Sequence, residues 1–299
     1  VKAAKSIYRT AAGEQKLREA YDRTLAEWNV PIETLYVPTR FGQTHVIAAG
    51  PEGAEPLVLL HGFGFSSTHW VDNVGPLSER YRVYALDFVG DLNKSVADWV
   101  METPEECEAW FLDVLAGLGV NRVHLMGLSY GGFLAFLLAG RLPGRTGKLV
   151  GISPGATLQK QGKGFFLRCL LAGMFPAADR LNRLMDAMTA PGNRVNPAVR
   201  EQFITAMQCG IPRIRMFARY MTDEELKRIS CPTLLLLGEY ELQYDPRRAI
   251  DRARRLIPRL QVRLFERAGH GLPMERPDAV NPVILDFLQE RLEALPQAQ

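Results

Sequence analysis

The chain has 299 residues, 47% hydrophobic and 23% charged, with a formal net charge of +3. That composition excludes disordered and fibrous classes, and the charge is too small to argue for a nucleic-acid partner. The cysteines, Cys107, Cys169, Cys209 and Cys231, are scattered and form no C-x-x-C. Reduced, mostly buried thiols are therefore expected, with no disulfide framework and no metal site.

Val1 to Thr10 carries lysines without the apolar run of a signal peptide. The longest apolar runs, such as Phe133 to Ala139, are far too short for a membrane span. A soluble, cytoplasmic protein without cofactor is expected.

Gly13 to Trp28 repeats apolar residues at helical spacing and is closed by Pro31, which predicts an amphipathic helix in an N-terminal extension, 1–30. Ile32–Val37 and Gln43–Ala49, separated by Arg40-Phe41-Gly42, form a hairpin pattern. Short unbroken apolar runs follow at Leu57–Leu60, Val83–Leu86, Val123–Met126, Leu149–Ile152 and Leu234–Leu237, with a weaker one at Val262–Phe265. Such runs suit strands buried on both faces. Helical stretches alternate with them at Pro104–Leu118, Tyr130–Arg141, Arg247–Ile257 and Pro277–Leu292. The alternation predicts a mostly parallel sheet with helices on both sides.

From 155 to 230 no strand is evident, while Phe165–Phe175, Arg180–Met188 and Pro197–Gln208 have helical character. A helical cap at 155–230, inserted into a core of 1–154 and 231–299, accounts for this interval. The arginines between Arg247 and Arg267 are opposed by few acids, which suits a solvated helix face or, less simply, a site for an acidic partner.

Gly127-Leu128-Ser129-Tyr130-Gly131 matches G-x-S-x-G. Average usage produces such a match in about one chain of this length in ten. Its setting is more specific, directly after a buried-strand run and directly before a helix, where a sharp turn would present the hydroxyl of Ser129. The glycines remove side chains that would collide with the strand and helix. A serine acting only as a helix cap is the plain alternative.

A serine nucleophile needs a base. His45 lies in the hairpin, His61 and His69 near a glycine turn, and His124 inside a strand. His270 sits between Gly269 and Gly271 just past the last strand, where an exposed loop could carry it to Ser129. The orienting carboxylate should follow Leu234–Leu237, where Glu239, Glu241 and Asp245 compete. Spacing alone leaves Glu241 and Asp245 open, and Asp245 could equally cap the next helix. At the end of the first core strand, His61-Gly62-Phe63-Gly64 makes a turn able to point amides at a ligand. The amides of Phe63 and Tyr130 are the candidate oxyanion donors.

These segments, in order with Asp87 and Gly90, resemble the α/β-hydrolase family from about Glu33 to Leu292. Arg40 to Val46 and Leu237 to Glu241 are similar to bacterial carboxylesterases with a helical cap. The resemblance implies an eight-stranded α/β-hydrolase fold and a serine esterase acting on small to medium apolar esters, with a small-molecule ester as its partner. It implies Glu241 as the acid, at a position where the family usually has Asp. The family's D-x-x-G-x-G-x-S segment is altered here to Asp87-Phe88-Val89-Gly90-Asp91-Leu92-Asn93-Lys94-Ser95, which leaves the shape beside the oxyanion turn open. Serine at 129 argues against a dehalogenase, which needs a carboxylate nucleophile. Lactonases, carbon–carbon bond hydrolases and cofactor-free perhydrolases or haloperoxidases share the triad. A ligand-binding member with little turnover is the alternative of a different class. Phe165, Phe166, Leu167, Leu170, Met174 and Phe175 in the cap suit an apolar acyl or alcohol group, or plain cap packing.

Overall fold

The computed structural model describes residues 2–290. The last two residues of the predicted helix 277–292 lie outside them.

Eight strands make the sheet: β1 (Ile32–Thr39), β2 (Gly42–Ala49), β3 (Pro56–Leu60), β4 (Arg82–Leu86), β5 (Val123–Leu128), β6 (Thr146–Ile152), β7 (Thr233–Tyr240) and β8 (Leu260–Gly269). Their spatial order is β8-β7-β6-β5-β3-β4-β2-β1. The β1–β2 and β2–β4 pairs are antiparallel and the other five pairs parallel. Val96–Ala97 adds a two-residue strand beside β2.

The apolar runs form strands because both faces of the sheet are covered. In β3, Val58 and Leu60 enter one core layer with Trp110, Phe111 and Phe133. Leu57 and Leu59 enter the other with Leu17, Tyr21, Trp70 and Ile284. That is the two-residue period of a strand read from its two sides. Each such side chain contributes about 1.5–3 kcal/mol by leaving water.

The first layer is made by α3 (Pro104–Gly117), α4 (Tyr130–Arg141) and α9 (Pro246–Leu256). The second contains α1 (Ala11–Leu25), α2 (Val71–Ser78) and α10 (Pro277–Gln289). Local chemistry sets their starts: Thr10 caps α1, and Thr103 with Glu106 forms a capping box for α3.

Residues 155–230 hold α5 (Lys163–Met174), α6 (Ala178–Met188), α7 (Pro197–Cys209) and α8 (Asp223–Lys227). This helical insert connects β6 to β7, whose neighbouring positions in the sheet need no such length. The arginine-rich α9 is only partly the solvated face that its composition suggests. Arg252 is buried, donates to the carbonyls of Thr157, Leu158 and Met221 and to Asp223 Oδ1, and lies 3.9 Å from the centre of the Tyr220 ring. One cation thus fastens the insert to the core.

Replacing it by methionine (Arg252→Met) leaves three buried carbonyls without that donor. A loss of about 3 kcal/mol in urea unfolding is expected, with faster proteolysis between 155 and 162. Unchanged proteolysis would mean that Arg252 does not fasten the insert.

Candidate active site

Ser129 stands between β5 and α4 with φ 54° and ψ −112°, a region that L side chains rarely adopt. Tight packing enforces the turn. A Cβ on Gly127 would lie 2.1 Å from the Gly131 carbonyl oxygen, and one on Gly131 would lie 2.0 Å from that of Leu60. The strained backbone is also bonded: Ser129 N–H donates to Ile152 O (3.0 Å), and Ser129 O accepts from Gly155 N–H and Phe133 N–H (both 2.9 Å).

The β7–β8 register brings His270 and Glu241 together. Pairing runs to Gly238↔Phe265, then shifts to Tyr240↔Gly269. The extra residues on β8 include Arg267, at φ 54°. After the bulge, His270 follows Gly269 just as Glu241 follows Tyr240, so the two side chains meet. His270 Nδ1 lies 2.9 Å from both Oε1 and Oε2 of Glu241, and both residues are buried. A carboxylate on Nδ1 keeps the proton there and leaves Nε2 as the acceptor. Asp245 is elsewhere: its side chain accepts from Arg247 N–H and Arg248 N–H at the start of α9. Glu239 accepts from Arg267 N–H at the bulge.

Sequence reasoning missed Gln243. Its side chain is 2% exposed, and its Nε2 lies 2.9 Å from His270 Nε2 and 3.3 Å from Ser129 Oγ. The amide nitrogen has two hydrogens and so can donate to both. Its oxygen accepts from Gln161 Nε2 (2.8 Å), just before α5. Gln243 therefore contacts both the serine and the histidine and is tied to the insert. In a sequence it is only a polar loop residue two beyond a candidate acid.

The His61–Gly64 turn lies against the serine, since a Cβ on Gly62 would be 3.7 Å from Ser129 Cβ. His61 Nε2 accepts from Phe88 N–H (2.9 Å), so the imidazole proton is on Nδ1, which donates to Gly62 O (2.9 Å). Asp91 accepts from Gly64 N–H (3.0 Å) and Leu92 N–H (2.8 Å). The altered segment after β4 therefore supplies a carboxylate that pins the turn. Phe63 is exposed at its tip, and Tyr130 opens α4, whose first amides have no partner within the helix. Asp87 holds the following loop through Ser67 N–H (2.8 Å) and accepts from Tyr21 Oη (2.9 Å) in α1, with His45 Nδ1 at 3.0 Å.

The other histidines lie apart from this constellation. His124 Nε2 faces Glu55, and His69 is buried, with desolvation pushing its pKa well down. All four cysteines are free, Cys107 and Cys231 buried and the other two partly so.

The sequence pattern described as "Alpha/beta hydrolase family" matches residues 57–283. The chain belongs to the alpha/beta hydrolase family. The uncharacterized carboxylesterase nap of Bacillus subtilis (strain 168) is 39% identical over 277 residues, which cover 90% of this chain and 91% of the relative. Carboxylesterase YbfK of the same strain is 37% identical over 288 residues, covering 93% and 96%. The crystal structure of naproxen esterase (carboxylesterase NP) from Bacillus subtilis superposes with a TM-score of 0.89 at 36% identity, covering 94% of this chain and all of that one. The protein is thus a carboxylesterase-like hydrolase of the family.

Two predictions follow from the pinned turn and the Gln243 amide. Burial pushes the Asp91 carboxyl from 3.8 up to about 6, against the opposing pull of His61 and of the two amides. A raised acid stabilises the fold in its protonated form, fully below pH 4, and that contribution is lost as the pH rises through 6. Asp87 has the opposite sign. Burial raises it, but His45, His61 and the Ser67 N–H together outweigh burial and hold it at about 2, so its contribution is lost only as the pH falls toward 2. From pH 4 to pH 7, Asp91→Asn should gain about 3 kcal/mol relative to wild type in thermal unfolding. A difference independent of pH would refute the assignment. In Gln243→Ala, Ser129 and His270 lose a competing donor worth about 1 kcal/mol, so the serine should react about five-fold faster with a fluorophosphonate. Slower labelling would make Gln243 a support of the site rather than an obstruction.

Proposed function

We propose that the protein is a serine carboxylesterase that hydrolyses small to medium apolar esters through an acyl-enzyme. One observation carries the proposal: the strained Ser129 hydroxyl and the Glu241-anchored imidazole of His270 converge on the same amide nitrogen of Gln243. Once an ester displaces that amide, Oγ and Nε2 face each other.

Ser129 Oγ then attacks the ester carbonyl while His270 Nε2 takes its proton. The carbonyl oxygen becomes an oxyanion between the amides of Phe63 and Tyr130, where fixed dipoles favour negative charge. Glu241 stabilises the imidazolium. His270 gives that proton to the leaving alcohol, then takes one from a water as its oxygen attacks the acyl carbonyl, and passes it to Ser129 Oγ as the acyl–serine bond breaks and the acid leaves. The apolar character of α5 near His270, with the Phe165 and His270 rings 6.2 Å apart, supports an apolar acyl or alcohol group. The carboxylesterase names of the full-length relatives support the ester as substrate.

Ser129→Ala should abolish fluorophosphonate labelling and lower kcat on p-nitrophenyl esters by about 10⁴-fold or more. Wild-type turnover in that variant would end the proposal. Glu241→Gln should cost about 10³–10⁴-fold, because an amide nitrogen facing Nδ1 favours the wrong tautomer. Asp245→Asn keeps its cap and should stay within about two-fold of wild type. The reverse ranking would move the acid to Asp245.

A further inference from the structure

Helix α5 is inverted relative to a helix of a soluble core. Ala172 is its one buried residue, and it faces inward with the partly buried Phe165 and Cys169. The opposite face carries Phe166, Leu167, Leu170, Leu171 and Met174, continued by Phe175, and these six side chains are 40% to 60% exposed. Scattered exposed apolar residues are ordinary, but a contiguous face marks an interaction site.

The charges around it have one sign. Between 160 and 183 the chain carries Lys160, Lys163, Arg168, Arg180 and Arg183 against the single acid Asp179. Lys163 and Arg168 are exposed on α5 itself. Beside the helix start, a groove of about 340 Å³ is lined by Lys160, Gln161, Lys163, Phe166, Ala218 and Tyr220. Gln161 is the residue whose side chain holds Gln243 beside Ser129 and His270. Gln161 therefore touches both the groove and the amide beside the nucleophile.

We propose that α5 docks the protein on an anionic lipid surface. An apolar helix face rimmed by lysine and arginine binds such surfaces by burying apolar area and by attraction to acidic headgroups. A second copy of the chain fits less well, because a two-fold contact through this face would bring the same cations toward each other. The proposal goes beyond the esterase reading and does not depend on it.

The test is co-sedimentation with vesicles of phosphatidylcholine alone and with about one third phosphatidylglycerol. Wild type and Ser129→Ala are compared, so that docking and hydrolysis can fail separately. Both should bind the anionic vesicles, and salt at about 0.5 M should weaken the binding by screening. The triple variant Leu167→Ser, Leu170→Ser, Met174→Ser should lose about ten-fold or more of that binding while keeping the wild-type midpoint in urea unfolding, since these side chains are exposed. Arg168→Glu tests the charge alone and should weaken binding several-fold. No binding of wild type to anionic vesicles, or equal binding by the triple variant, would overturn the proposal. So would a wild-type dimer in sedimentation velocity that the triple variant abolishes, which would assign the face to a second copy.

Discussion

The rest of the structure depends on the backbone of Ser129. A non-glycine residue at φ 54° costs about 1–3 kcal/mol unless its surroundings leave it no alternative. Here they leave none. Strand β5 ends where α4 must begin, and the helix approaches the strand so closely that no Cβ fits at Gly127 or Gly131. The strain is balanced by hydrogen bonds to Ile152 and Gly155 and by an apolar helix buried between sheet and insert. The central strands are parallel because a crossover of this kind delivers every strand end to the same edge, where loops can meet.

Several segments at that edge are held by buried carboxylates that accept backbone N–H groups. Asp91 holds the His61–Gly64 turn, and Asp87 the segment beyond it. Glu241 accepts from Gln243 N–H as well as facing His270. Glu275 accepts from Gly269 N–H and Ala190 N–H, so it fixes the histidine loop and joins it to the insert. A carboxylate can serve several donors at once, which suits irregular backbone that no strand or helix satisfies. The cost is desolvation, and Asp91 bears it most plainly, since it is ionised at neutral pH although burial favours its protonated form. Stability is given up to keep the turn in place.

Much of this is legible in the chain. Leu57–Leu60, Val123–Met126 and Leu234–Leu237 are strands because nothing but burial on both faces explains so continuous an apolar run. The elbow is legible because its glycines bracket a serine between two such elements. Spacing leaves Glu241 and Asp245 equivalent, since the choice depends on a bulge in β8 that no turn residue announces. Gln243 is illegible for a different reason: its partners are more than twenty residues away, and an amide has no characteristic pattern. Arg252 could have been found. It shares a helical face with Ala249, Ala253 and Leu256, all buried, so a cation there needs buried acceptors. Asp91 could be seen only as a departure from a familiar segment, not as a replacement for what that segment does.

Helix α5 shows the limit of periodicity. Its apolar spacing says that a face is buried somewhere, but not whether protein or another phase covers it. The structure turns the larger apolar side chains away from the core and keeps Phe165 beside the imidazole. Gln161, one residue before the glycine that starts the helix, holds the amide beside serine and histidine. These two contacts act in the same direction. Phe165 and Gln161 therefore tie the start of α5 to the imidazole and to the amide beside the serine, so the helix that bears the exposed apolar face is fixed to the site by its inner side.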